Sequence, residues 1–189
     1  MLCNRGTCLW HGGRHDYPMD VSAFSAARDL EFTASCLAMG LSHDHIIIPA
    51  NRANDGQSTE DQIICLIKDV ITGFPPAQVA IKTLAEVTWR RQNNDHTAAA
   101  RAALRIRSEG LCALVEEYLE TILYPAHEGI DIPETLTPGP VQRKRLLDAA
   151  DCYCRWQPGS GFYAIGYHSV ADEFIAFRDE QFSRLLIRR

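Results

Sequence analysis

The chain has no apolar run approaching the ~18–20 residues that a membrane-spanning helix needs. Residues Met1 to Asp20 contain no apolar h-region, so no secretory signal is readable. Lysine is scarce, with three of the 19 basic residues. The formal net charge is −5, which argues against a dedicated nucleic-acid binder with its basic footprint. Glycine-rich phosphate loops of the Walker or dinucleotide type are absent, as are internal repeats and low-complexity tracts. Seven cysteines are an odd number. Cys36, Cys65, Cys112 and Cys152 sit in apolar helical patterns and read as buried free thiols, in keeping with a cytoplasmic location rather than a disulfide framework. Cys152 and Cys154 stand too close for a redox CxxC.

What is present is ordinary globular material. The 189 residues fit one domain, and 46% apolar with 23% charged residues supply a core without staples. Asp20 caps a periodic run, Val21, Phe24, Leu30, Ala34, Leu37 and Leu41, that predicts a helix of about six turns. A polar stretch from His43 to Gln57 carries Ile46-Ile47-Ile48. Ser58-Thr-Glu-Asp61 resembles a capping box before Ile63, Ile64, Ile67, Val70, Ile71 and Phe74. After Pro75-Pro76 a helix is expected from Ala77 to about Asn93, and another from His96 to about Leu123 with Gly110 as a kink. Tyr124 to Pro140 reads as a linker. Thr137-Pro138 opens a helix with Leu146, Leu147, Ala150 and Tyr153. Pro158–Gly161 is a turn, Phe162 to Tyr167 a short strand or extended entry, and Asp172 caps a last helix through Leu185 and Leu186. The expectation is an all-α, single-domain bundle over residues 1–189 with about six helices and at most two short strands, residues 1–19 being irregular.

His43-Asp44, at the end of the first helix, offers one nitrogen and one carboxylate oxygen to a cation. With His15 upstream and Asp148 or Asp151 downstream, the order His, His-Asp, Asp in a helical chain resembles the HD-domain phosphohydrolases. That resemblance implies an all-α fold and a divalent ion, Mn, Mg, Fe or Co, activating water against a small phosphorylated substrate such as a nucleotide. His15, His43, Asp44, Asp148 and Asp151 would be its metal ligands. A second pattern, Glu116-Glu117-x-x-Glu120 with Asp148-x-x-Asp151, is similar to the paired acidic helices of MazG-like nucleotide pyrophosphohydrolases. Asp44 and Glu117 are the candidate catalytic carboxylates. Cys3, Cys8, His11 and His15 form an alternative zinc set, ranked behind the hydrolytic ion because their spacing is not that of a finger. A Cys36–His168 nucleophile pair is set aside, since Cys36 lies mid-helix among apolar residues.

Leu9-Trp-His-Gly12 and Gly161-Phe-Tyr-Ala164 resemble fragments of ADP-ribosyltransferase signatures, in which a histidine and a tyrosine cradle NAD. In that family the two motifs sit much closer in sequence and more strands follow the second, so the likeness is read as chance. The competing class is a non-catalytic helical binding protein, an inhibitor, immunity or accessory protein, working through a protein partner or a homo-oligomer. A large exposed apolar patch would favour it.

Overall fold

A computed structural model of the chain describes residues 5–10, 13–54, 56–84, 94–119, 134–179 and 183–188. They form two compact units, Met1–Ile48 with Pro138–Gln181, and Pro49–Thr137 with Phe182–Arg189. The chain is mostly helical, with six α-helices among the described residues. It is not purely all-α, because strands pair into three small sheets.

In the first unit, strands β1 (Arg5–Trp10) and β2 (Gly13–Pro18) pair antiparallel where an irregular segment was expected. Helix α1 (Val21–Ala38) starts at Asp20, whose carboxylate accepts from the Ala23 amide at 2.7 Å. The second unit intervenes before this unit resumes. There α2 (Glu60–Ile71) begins with a capping box one residue later than the sequence suggested, with Thr59 and Gln62 exchanging side-chain to backbone bonds.

Pro76–Gln78 makes one 3-10 turn and then strand β3 (Ala80–Leu84) follows, replacing the start of the helix expected from Ala77. Val79, Ile81 and Thr83 are β-branched at alternate positions, a strand pattern that the prolines obscured. Helix α3 (Asn94–Ser108) is shorter than expected, because Gly110 ends it rather than kinking it. Gly110 sits at φ +73°, and the Gly110 and Leu111 amides donate to Arg107 and Ile106 carbonyls in a Schellman closure. Strand β4 (Leu114–Leu119) then runs parallel to β3, so α3 is the crossover of a βαβ unit. The far ends of the two expected helices and the linker residues Tyr124 to Ile132 lie outside the described residues.

Strand β5 (Glu134–Leu136) precedes the return to the first unit, where α4 (Pro140–Cys154) starts with proline in its first turn. Two short strands, β6 (Trp156–Gln157) and β7 (Phe162–Tyr163), flank the turn at Pro158–Ser160. They lead into the short helix α5 (Ile165–Ser169) and then α6 (Ala171–Asp179). Ser183–Arg188 is strand β8, not the end of a helix, and it completes the second unit's sheet in the order β3-β4-β8-β5.

The core of the second unit lies between this sheet and the pair α2 and α3. Ile64, Val79, Ala102, Ala103, Ile106, Cys112 and Val115 are buried together. Fully burying Ile106 and Val115 stabilises by about 1.5–3 kcal/mol each. Arg105 on α3 bridges Glu60 and Asp61 of α2, and Lys68 meets Glu109, so the rim of the helix pair is also tied.

A Cβ placed on Gly110 would meet nothing within 4 Å, so its whole cost is the left-handed backbone. Gly110→Ala is expected to lower unfolding free energy by about 1–2 kcal/mol. Urea denaturation measures this, with an unchanged m-value.

Candidate functional site

The first unit is organised around a carboxylate. Glu31, in the middle of α1, is fully buried. Its oxygens accept from the amides of Ile165 at 2.7 Å and Gly166 at 2.9 Å, the first two residues of α5. Arg28, one turn earlier, donates to Oε2 at 3.1 Å. Ala164, a non-glycine residue at φ +51°, turns the chain into α5. The amides left without helical partners at that start are thereby satisfied. A Cβ on Gly166 would fall 2.5 Å from Tyr153 Cδ1 and 2.6 Å from Arg28 Nη1, so α4 and α1 close on bare backbone there. The Arg28 guanidinium lies 5.4 Å from the centre of the Tyr153 ring. Tyr153 and Tyr167 both stack obliquely on Phe174, bringing in α6.

Burial pushes the Glu31 carboxyl above its ordinary range, outweighing the two amides and Arg28. Its two oxygens hold the first amides of α5 against α1, out of contact with solvent. Its role is to lock the fold. The thiols of Cys36, Cys152 and Cys154 are pushed up by burial, which leaves them protonated and unsuited to nucleophilic work.

The candidates proposed from the sequence fall into separate places. His43 and Asp44 lie in an exposed 3-10 turn, where Ser42 Oγ and His45 Nδ1 share a hydrogen bond of 2.8 Å. Asp148 and Asp151 are exposed on α4, one paired with Lys144 and the other with Arg178. His15 is on β2, at the rung opposite Cys8. Cys3, His11 and Glu120 lie outside the described residues. Glu117 is in the other unit. It is buried on β4 on the same face as Val115, with Thr83 and Leu186 as its neighbours in register. Glu116 points to the opposite face, where it meets Lys82 at 3.1 Å, so the two glutamates do not share the helix surface that the second acidic pattern required. Among the described residues no three His, Cys, Asp or Glu side chains converge as a metal site.

Helix α1 turns part of the expected stripe outward, although Phe24 packs against Met19, Ala27 and Ile165 and Ala34 is half-buried. It buries Ala27, Glu31, Ser35 and Cys36, whereas Val21, Leu30, Leu37 and, past its end, Leu41 are exposed. Leu30 and Leu37 are each 36% exposed and Leu41 is 44% exposed, and Leu30 Cδ2 lies 3.1 Å from where a Cβ on Gly161 would stand. Ala23 and Ala26 are exposed on the same side. Phe32, Met39 and Ile47 add further exposed apolar surface. The sequence held one signal of this inversion, a charged Arg28-x-x-Glu31 pair one turn apart inside the helix.

No helix among the described residues is long and apolar enough to cross a membrane. Comparison with protein-family models, curated proteins and solved structures finds no match.

Glu31→Ala strips the acceptors from two buried amides, each worth ~1–3 kcal/mol when unsatisfied, so a loss of about 3 kcal/mol is expected. A raised carboxyl holds its proton more tightly in the folded chain. Its contribution to stability is therefore full below the ordinary value of 4.5 and declines as pH rises from there through the raised value. In Glu31→Gln that decline disappears, which unfolding curves taken across the pH range will report.

Proposed function

We propose that the chain is a non-catalytic binding protein that engages a protein partner through the outward face of α1. The observation that carries this reading is the partial exposure of Leu30 and Leu37 on a helix whose polar Glu31 is buried, with Leu41 exposed just past its end. Exposed apolar surface costs solubility and is kept where a partner covers it. A photo-crosslinking amino acid at position 37 should give one discrete adduct in cells, lost in Leu30→Asp. Leu30 also lies against Gly161, so circular dichroism is used to show that the variant is folded. No adduct, or one that survives Leu30→Asp, sinks the proposal.

The divalent-metal phosphohydrolase reading rests on His43 and Asp44 and has its own test. If it holds, the double variant His43→Ala, Asp44→Ala loses bound Mn²⁺ and nucleotide hydrolysis while the adduct is untouched.

A second reading is favoured by one packing contact. Strand β1, which carries Leu9 and Trp10, packs against α5, which begins directly after Ala164. Tyr163 lies edge-on to Trp156, with ring centres 6.0 Å apart. On this reading the chain binds NAD, and calorimetric titration with NAD gives heat that His11→Ala and Tyr163→Ala both abolish. Absence of any heat at millimolar NAD removes it.

A further inference from the structure

Among the described residues Ala164 is the one non-glycine with a positive φ, +51°, and it is fully buried. An L side chain in the left-handed region carries strain that persists only where its surroundings enforce it, and such residues gather at clamps and switches. Here the strained residue is the entry to α5, a helix of five residues and too short to hold itself. Of those five only Ile165 and Gly166 are buried. Ile165 packs with Met19 and Ala27, and the amides of both residues end on the Glu31 carboxylate. At the far end the Val170 amide reaches the Gly166 carbonyl at 3.3 Å, and Ser169 is exposed. The helix is thus held chiefly through its first two residues, directly after the strained one.

Two effects favour release at that point. Opening lets Ala164 leave the left-handed region, and it returns water to a carboxylate whose charged form burial disfavours. The burial of Ile165 and the two amide bonds oppose them. Helices α1 and α4 also pack on each other directly, so α5 can leave with that pair in place.

We propose that residues 164–169 form a latch, which releases from α1 and α4 as one unit while those two helices stay packed. Release uncovers Glu31, Arg28 and Tyr153, because the backbone at Gly166 lies against all three. Its amide donates to Glu31 Oε2, and a Cβ there would fall 2.5 Å from Tyr153 Cδ1 and 2.6 Å from Arg28 Nη1. The open state presents a carboxylate, a guanidinium and a phenol to solvent, and the closed state buries the carboxylate completely.

The test is hydrogen exchange of the full chain, followed residue by residue by NMR at urea concentrations below the unfolding transition. The amides of Ile165, Gly166 and His168, all hydrogen-bonded, should exchange together through one opening. That opening should be about tenfold or more favoured over the one that frees the central amides of α1 and α4, and it should depend less on urea, since little surface is exposed. Ala164→Gly should make the shared opening about fivefold rarer, because glycine accepts the left-handed turn without strain. If the three amides exchange only with the opening and the urea dependence of the α1 amides, α5 leaves only on global unfolding and the latch is overturned. If they exchange independently of one another, the segment frays and is no latch. An early shared opening that Ala164→Gly leaves unchanged overturns Ala164 as the strained element that favours release.

Discussion

Everything in the first unit leans on one carboxylate out of contact with water. Taking Glu31 into the interior carries a desolvation cost that three donors, two of them main-chain amides, offset only in part. Because those amides belong to α5, the side chain joins residues more than 130 positions apart in the chain. Once Glu31 faces inward, the rotation of α1 is fixed. The same rotation turns the leucines of α1 outward and brings Tyr153 over Arg28. The exposed leucines and the lock are therefore two sides of one helix orientation.

The elements legible in the sequence were those with local chemistry at their ends. Asp20, the Thr59–Gln62 box and Pro140 mark helix starts that depend on neighbours within a turn. The strands of the second unit were not legible, for a geometric reason. Leu111, Val115 and Leu119 recur every four residues, a spacing that suits a helix and is also a multiple of the strand period. Gly110 decided between them, because its left-handed closure is a stop where a kink was read. Ser183–Arg188 carries adjacent leucines without alternation, and its pairing with β4 and β5 comes from distant segments that no local pattern announces.

The candidate site shows the same division. His43-Asp44 was correctly seen as following a helix end, but a doublet says nothing about what surrounds it, and the aspartates chosen to complete it already have cationic neighbours on α4 and α6. The stripe on α1 was readable as apolar, yet which side of a helix is covered depends on tertiary contacts. A Glu that finds two amides can outcompete leucines for the inside. The placing of β1 beside α5 is likewise a property of the fold alone.

The order of strands in the second unit has a consequence for synthesis. Its sheet needs β8 between β4 and β5, yet β8 is translated only after α4, α5 and α6 of the other unit. Until then β5 has no strand to pair with, and β4 presents an open edge to whatever is near. The first unit is complete only once most of the second has been made, and the second still lacks β8 at that point. Each waits for chain that follows a piece of its neighbour, and the interval in which β4 stands bare is the moment when a nascent chain of this design is most exposed to mispairing.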